Sequence, residues 1–451
     1  MNITARISQA PMSGYQWLIV ALCTFMNCLD GFDVMAVAFT GPSVTEEFAL
    51  SGSEFGLLVS VGLVGMAIGS MLLAPFADLI GRRPLVLISL TLGTIGMFGA
   101  AAASSATVMG VFRLVTGIGV GAILASTNVI ASEFSNAKNR GLSIGIYTAG
   151  YGIGATAASL VAKATVGGDW RIVFYAGGVG TLLALVVIAV VMPESVAFLE
   201  QRRPSGALER INRTLARMRM EAVTDTDLDR AAATRTGTER AGSGWLKQLL
   251  TPTILLWLVF ITIMFGFYFV NSWTPTLLVE EGLSESAAVT AGMAISVGGT
   301  IGSVLYGVAA RVRTPRVVLI GFSLLSAAIM IVFIVSTSTL WLGFGIGVVV
   351  GALINGCIAG AYTVGPPLYP ANVRSVGMGW ALGMGRIGAI LSPTIAGMLK
   401  DAGASATQLY VGAAMVVAVC ALVLVGLRRY DPESGPTAKE ALAVRPRPVS
   451  S

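Results

Sequence analysis

Apolar and polar residues alternate along this chain in long blocks. Twelve apolar runs are separated by short polar loops and by one long polar segment. An apolar run of about 20 residues is long enough for an α-helix to cross the hydrocarbon core of a bilayer. The runs lie at 16–38, 55–77, 84–104, 107–131, 141–163, 170–192, 251–275, 287–310, 315–336, 339–364, 376–399 and 405–427. The pattern predicts an all-α membrane protein with twelve transmembrane helices in two six-helix bundles.

The composition supports a membrane protein and excludes most enzyme chemistry. Of the 451 residues, 55% are hydrophobic and 12% are charged, against roughly 25% charged in soluble domains. The chain contains no His, and its four Cys (Cys23, Cys28, Cys357 and Cys420) lie inside apolar runs without metal-ligand spacing. We interpret the cysteines as small core residues and expect no bound cofactor, no metal and no enzymatic activity.

The distribution of basic residues predicts the topology. Of the 29 Lys and Arg residues, 24 fall in the two termini, in alternate short loops and in the long central segment, whereas three fall in the opposite loops: Lys163, Arg171 and Lys400. By the positive-inside rule the first set is cytoplasmic, so both termini are cytoplasmic. We expect the membrane to be the cytoplasmic (inner) membrane of a bacterium. The net charge of +6 is therefore a topology signal, and we expect no nucleic acid partner.

The polar segment divides the chain into two halves. We predict an N-terminal bundle over 1–194, a cytoplasmic linker over 195–250, a C-terminal bundle over 251–430 and a disordered tail over 431–451. Residues 207–220 of the linker have two interpretations. In one interpretation they form a basic amphipathic helix at the membrane surface. In the other, which we favour, they are a solvated tether.

Two acidic residues interrupt the first apolar run. Asp30 and Asp33 lie three residues apart on one helix face, where lipid cannot offset the cost of losing hydration. Asp30 lies roughly 21 Å into the helix from its predicted start. For Asp33 a solvated position near the outer helix end is the alternative. Because the chain has no His, proton coupling falls to these carboxylates.

Two arginines also lie within the predicted spans. Arg113 in the fourth run falls at about the same depth as Asp30, so we predict that these two residues form an ion pair that takes part in proton coupling. A purely structural ion pair is the alternative. Arg386 lies about ten residues into the eleventh run, near the midplane. Its planar guanidinium suits a carboxylate brought by the substrate, with bonding to backbone carbonyls as the alternative.

The loop after the second run forms a short hairpin that can join helix ends. It reads Ala74-Pro75-Phe76-Ala77-Asp78-Leu79-Ile80-Gly81-Arg82-Arg83-Pro84. This loop resembles the signature of the major facilitator superfamily, Gly-x-x-x-Asp-Arg-x-Gly-Arg-Arg. Ala74 and Leu79 depart from it. Further similar pieces are Arg113-x-x-x-Gly117, the stretch from Glu133 to Arg140, and Pro193-Glu194-Ser195.

The resemblance implies a cytoplasmic gate at this loop. The residues assigned to it are Asp78, Gly81, Arg82, Arg83, Glu133 and Arg140. The corresponding loop of the second half has Arg311 where an acid is expected, so we assign the gate to the first half alone.

Within the superfamily, three motifs look like those of the aromatic acid:proton symporters. They are Asp30-Gly31-Phe32-Asp33, Trp273-Thr274-Pro275 and Gly383-x-Gly385-Arg386. The resemblance implies proton-driven uptake of a benzoate-type ring carboxylate. Candidate residues for stacking on the ring or bonding its substituents are Asn27, Tyr151, Phe269, Trp273, Asn355 and Trp380. Packing in the core or against lipid is the alternative for each of them.

We therefore predict a proton-coupled secondary transporter that acts as a monomer, with one substrate site between its two bundles. A carrier of another organic anion and an efflux antiporter remain the alternatives. The chain has no Gly-x-x-x-x-Gly-Lys-[Ser/Thr] motif, which argues against an ATP-driven pump.

Overall fold

The computed structural model describes residues 3–225, 228, 249–336, 340–369 and 374–427. Among these residues, twelve helices are long and apolar enough to cross a membrane. The prediction of an all-α protein with twelve spans is confirmed.

The helices of the described chain are numbered here from α1 to α16. They are α1 (Ile3–Gln9), α2 (Gly14–Glu47), α3 (Gly52–Ile68), α4 (Ala77–Ile80), α5 (Arg82–Ala101), α6 (Ala106–Glu133), α7 (Arg140–Ala164), α8 (Arg171–Val191), α9 (Val196–Arg202), α10 (Ala207–Arg217), α11 (Leu250–Glu280), α12 (Glu285–Val312), α13 (Pro315–Val335), α14 (Leu340–Val364), α15 (Arg374–Asp401) and α16 (Ala406–Gly426). A π-helical segment, Gly69–Leu73, continues α3, and short 3-10 segments lie at Ala74–Phe76 and Pro366–Leu368.

The first spanning helix, α2, is longer than its apolar run. It begins after the N-cap Ser13, whose side chain accepts from the backbone N–H of Gln16 while the Gln16 side chain bonds back to Ser13. It then continues past the predicted end at residue 38, through Pro42, to Glu47. Thr40 helps to extend the helix by donating to the Ala36 carbonyl, 2.8 Å away. The nine additional residues add about 13 Å.

The chain forms two compact units. Unit 1 covers Met1–Thr238 and Leu283–Met293, and unit 2 covers Glu239–Gly282 and Ala294–Ser451. In unit 1, α2 packs closely against α7. Gly31 lies at this contact, where a Cβ atom would overlap the backbone carbonyl of Tyr151. The glycine between the two acids of α2 therefore sets how closely the two helices approach.

Part of the predicted linker belongs to the core of unit 1. Helix α10 buries Ala207, Ile211 and Leu215, which join a hydrophobic cluster that includes Ile3 of α1 and Leu199 of α9. The favoured interpretation of residues 207–220 as a solvated tether is wrong for α10, and the apolar face of this helix contacts protein. The sequence interpretation gave too much weight to the arginines and too little to the apolar stripe at i, i+4 and i+8.

Candidate functional site

An ion pair is buried in the interior of unit 1. Asp33 of α2 is 2% exposed and Arg113 of α6 is 4% exposed. The Arg113 guanidinium donates through Nη1 to Asp33 Oδ1. The solvated alternative for Asp33 is wrong, because α2 continues for about four more turns beyond this residue.

The predicted ion pair named a different acid. The depth estimate assigned Arg113 to Asp30, and the ion pair found joins Arg113 to Asp33, one turn further along α2. The error follows from the length of α2. Helix α2 ends at Glu47, nine residues after the predicted end. The residue of α2 that lies level with Arg113 is therefore further along the chain than the apolar run indicated.

Asp30 and Asp33 share a small cavity inside unit 1. Its volume is about 20 Å³, measured as the space open to the centre of a water molecule, which is room for about one water. Most of its lining is apolar, with Thr116 and Thr181 also contributing. Both threonine hydroxyls donate to backbone carbonyls of their own helices. The two acidic residues therefore border the same small space.

Asn27 fastens α2 to α7 in unit 1. Its Nδ2 donates to the Tyr147 carbonyl at 2.8 Å, and the side chain is buried. Tyr151 lies one turn further along α7 and is half-buried. The contact of Asn27 corresponds to the packing alternative, and a bond from either residue to a substrate stays a prediction.

Arg386 lies in the interior of α15 and contacts a tyrosine of α11. Its Nη1 donates to Tyr268 Oη at 3.2 Å, and Tyr268 is 5% exposed. In the described residues of unit 2 the acidic side chains are Glu280, Glu281 and Asp401, at or just beyond the C-terminal ends of α11 and α15. Asp401 lies about 22 Å from Arg386 along the helix. The described acids of unit 2 therefore lie at a different level from Arg386.

Tyr268 was missed by the sequence analysis. The sequence analysis named Phe269 and Trp273 on this helix and left out Tyr268, which is adjacent to Phe269. A phenol on a neighbouring span is one of the few uncharged groups that can accept from an arginine in an apolar environment. That chemistry is the signal that could have found it.

The remaining candidates in unit 2 differ in exposure. Phe269 and Trp273 are fully buried inside the unit, with Phe269 edge-on to Tyr410 and Trp273 Nε1 donating to the Pro393 carbonyl at 3.2 Å. Trp380 is 57% exposed and stacks on Trp257 with ring centroids 5.9 Å apart. Asn355 donates to the Gly351 carbonyl of its own helix at 3.1 Å. Stacking or bonding of these four side chains to a substrate stays a prediction.

A polar network ties helices together at the end of unit 1 that carries Arg82, Arg83 and Arg140, here called the basic end. Arg82 of α5 forms an ion pair with Glu133 of α6. Ser195 Oγ donates to Glu133 Oε2 at 2.7 Å. The network therefore joins α5 and α6 to the segment that follows α8.

Glu194 caps α5 from another part of the chain. Its Oε1 accepts from the backbone N–H groups of Arg82 at 2.8 Å, Arg83 at 3.2 Å and Ser195 at 2.9 Å. The N-cap residue of α5 is Gly81, which has no side chain and lies at φ 104°. A carboxylate at a helix N-terminus satisfies free N–H groups and interacts favourably with the helix dipole. Glu194 thus takes the capping role that Gly81 cannot provide.

The predicted gate residues have different surroundings. Arg83 Nη2 donates to the Ala189 carbonyl at 2.6 Å, and Arg140 is exposed at the start of α7. The Asp78 side chain lies outside the described residues. Glu194 and Ser195 were recognised only as part of a motif, although an acid directly after a span is well placed to cap a neighbouring helix at the same end.

Comparison with known proteins identifies the family. Residues 22–364 match the family model of the Major Facilitator Superfamily. The chain belongs to this superfamily. A gallate transporter of Pseudomonas putida is 32% identical over 409 residues, which are 88% of each protein. The 4-hydroxybenzoate transporter PcaK of Acinetobacter baylyi is 27% identical, again over 88% of each chain. A benzoate transport protein of Acinetobacter baylyi is 25% identical over 88% of this chain and 86% of its own.

Solved structures of other superfamily members have the same fold. The xylose transporter XylE from E. coli, in a partially occluded inward open conformation, has a TM-score of 0.75 at 17% identity, covering 92% of this chain and 98% of its own. A bacterial homologue of the human lysosomal transporter Spinster has a TM-score of 0.73 at 17% identity, covering 94% of this chain and 99% of its own.

Family membership settles the class of the protein. This superfamily member is a multi-pass membrane protein and a transporter rather than an enzyme. The predicted resemblance to aromatic acid transporters is confirmed by its relatives.

Proposed function

We propose that this transporter is a symporter that imports an aromatic carboxylate together with protons across the bacterial cytoplasmic membrane by alternating access. It acts as a monomer with cytoplasmic termini, uses protons as the coupling ion and needs no cofactor. The relatives named above transport gallate, 4-hydroxybenzoate or benzoate, each of which is a benzene ring bearing a carboxylate. The substrate class of the proposal follows from that shared chemistry.

The observation that carries the proposal is the position of Arg386. A guanidinium in the interior of a spanning helix is expensive unless a partner compensates its charge. Arg386 lies in the interior of α15, and its Nη1 donates to Tyr268 Oη at 3.2 Å. A substrate carboxylate matches the planar donor fork of this guanidinium in a bidentate contact.

The buried acids of unit 1 are suited to carrying the proton. Asp30 and Asp33 border one cavity, and Arg113 contacts one of them. A carboxyl group in such surroundings changes its protonation when the position of a neighbouring charge changes. We therefore assign proton coupling to Asp30, Asp33 and Arg113.

Transport in sealed vesicles tests the direction and the coupling. Purified protein is reconstituted into proteoliposomes, and uptake of labelled benzoate is measured with the outside acidic, with no gradient, and with the inside acidic. The proposal requires accumulation above equilibrium only when protons flow inward with the substrate. Uptake that is equal under all three conditions would exclude symport, and accumulation against an opposing gradient would indicate an antiporter. An aliphatic acid of similar size tests the preference for a ring.

Arg386→Lys tests the carboxylate site directly. The substitution keeps the charge and removes the planar fork, and removing one partner of a desolvated charge pair costs roughly 2–5 kcal/mol, more than tenfold in affinity. Binding of benzoate and of its neutral amide is compared in the wild type and in the variant. We expect strong carboxylate preference in the wild type and loss of most of it in the variant.

A matched control is available in the same unit. Arg316 at the start of α13 is also buried, and Arg316→Lys should leave the preference for the carboxylate unchanged. Equal discrimination by the wild type and Arg386→Lys would move the carboxylate site elsewhere, with Arg113 as the next candidate.

A further inference from the structure

We propose that Tyr268 is a positioning residue for the carboxylate site, holding the Arg386 guanidinium in the orientation that receives the substrate. This inference rests on the proposed function and adds a second residue to the same site. The contact that carries it is the hydrogen bond from Arg386 Nη1 to Tyr268 Oη, 3.2 Å long, between α15 and α11.

Further contacts fasten the two helices to each other around this hydrogen bond. Ser392 of α15 donates to the Phe265 carbonyl of α11 at 2.8 Å. Trp273 donates to the Pro393 carbonyl at 3.2 Å. Closer to the helix ends, Lys400 forms an ion pair with Glu280. These contacts fix the register of α11 against α15, so Tyr268 meets Arg386 from a defined backbone position.

The Tyr268 ring is itself well held. It is almost completely buried, and Phe267 contacts it edge-on with ring centroids 5.2 Å apart. A buried tyrosine has few rotamers available to it, whereas a free arginine side chain carries about 2 kcal/mol of rotamer entropy. Bonding the flexible side chain to the rigid one removes part of that entropy before the substrate arrives, which improves affinity by preorganisation.

The chemistry of a phenol suits this role better than that of an acid. A carboxylate at position 268 would orient Arg386 equally well, but it would neutralise the guanidinium and compete with the substrate. A phenol oxygen accepts a hydrogen bond and leaves the positive charge in place. A guanidinium has five N–H donors, enough for the bond to Tyr268 and for a bidentate carboxylate.

Tyr268→Phe tests the inference, because it keeps the ring and removes the hydroxyl. We expect the dissociation constant for benzoate to rise about three- to tenfold, as a rotamer-rich side chain must then be ordered on binding. The dissociation constant for benzamide should not change. Tyr410→Phe is the matched control, since Tyr410 is another buried tyrosine of unit 2 whose hydroxyl bonds Thr274 at 2.6 Å. This control should leave both constants unchanged.

A double variant separates positioning from a direct ring contact. If Tyr268 acts through Arg386, Tyr268→Phe should have no further effect on the benzoate-to-benzamide ratio in an Arg386→Lys background. Equal weakening of both ligands by Tyr268→Phe would overturn the inference, because it would indicate contact with the ring. The inference would also be overturned if Tyr268→Phe kept the wild-type benzoate-to-benzamide ratio while Arg386→Lys lost it. The proposed function would stand in that case. An unchanged ratio in Arg386→Lys would instead overturn the assignment of the carboxylate site to Arg386 in the proposed function, and this inference with it.

Discussion

The ion pair between Asp33 and Arg113 allows a quantitative prediction about stability. Asp33→Asn leaves the buried guanidinium without this carboxylate, and Arg113→Gln leaves the buried carboxylate without this guanidinium. Breaking a buried pair by removing one partner typically costs about 3–5 kcal/mol, because a charge remains in an apolar environment. Replacing both members is often nearly neutral. We therefore expect the double variant Asp33→Asn/Arg113→Gln to be more stable than Asp33→Asn alone.

The two single variants should not be equivalent. A carboxyl group can bind a proton and so lose its charge, whereas an arginine remains protonated in proteins. Asp33→Asn should therefore be the more destabilising of the two. For a unit of this size, a loss of about 3–5 kcal/mol corresponds to a fall in melting temperature of about 6–20 °C, at about 2–4 °C per kcal/mol.

The cysteines of the chain provide the assay. Cys23, Cys357 and Cys420 are buried, so a maleimide dye that fluoresces on reaction with thiols reports their exposure during unfolding. In a Cys357→Ala/Cys420→Ala background, the signal comes from Cys23 and Cys28 of unit 1. The melting temperatures of the wild type, both single variants and the double variant then give the coupling energy. Additive effects of the two single substitutions would refute the reasoning.

Two further predictions concern proton coupling and the basic end. Asp30→Asn should abolish accumulation of labelled benzoate driven by a proton gradient and leave its counterflow intact, because the variant loses a proton-binding group but keeps the substrate site. Accumulation at the wild-type level would remove Asp30 from the coupling assignment. Gly81→Ala should destabilise unit 1 by about 1–3 kcal/mol, because φ 104° with ψ 156° is a region that other residues rarely adopt and because the new Cβ atom would meet the Glu194 carboxylate. Gly145→Ala, where a Cβ atom meets nothing within 4 Å, is the control in the dye assay, and an equal effect of both substitutions would contradict the explanation.

The sequence predicted the spans well because hydrophobic length is a local property. The eighth and ninth runs, at 287–310 and 315–336, lie within two residues of α12 (Glu285–Val312) and α13 (Pro315–Val335) at each end. The largest difference is at the end of α2, where Thr40, Gly41 and Pro42 look like a turn and are instead helical. Propensity at such positions is overridden by packing, since this part of α2 is largely buried.

The candidate site was predictable in residue type but less so in pairing. A buried Asp or Arg is conspicuous in any apolar run, so Asp33, Arg113 and Arg386 were found from the sequence. Which groups they contact depends on the rotation and depth of whole helices, and a shift of one turn changed the partner of Arg113. An uncharged hydrogen-bond partner does not stand out in the sequence in this way. Tyr268 is one of many aromatic residues in α11, and only the structure shows that its hydroxyl reaches Arg386.

Arg113 and Arg386 contact different kinds of group, and this difference gives the proposed mechanism its physical basis. In unit 1 the guanidinium of Arg113 contacts a carboxylate of the same unit, so this charge pair is complete without a ligand. In unit 2 the guanidinium of Arg386 contacts a phenol, and the acids of the described residues lie at helix ends. An anionic substrate that bound Arg113 would have to displace Asp33. In the function proposed above, the acids of unit 1 therefore bind the proton and Arg386 binds the substrate carboxylate.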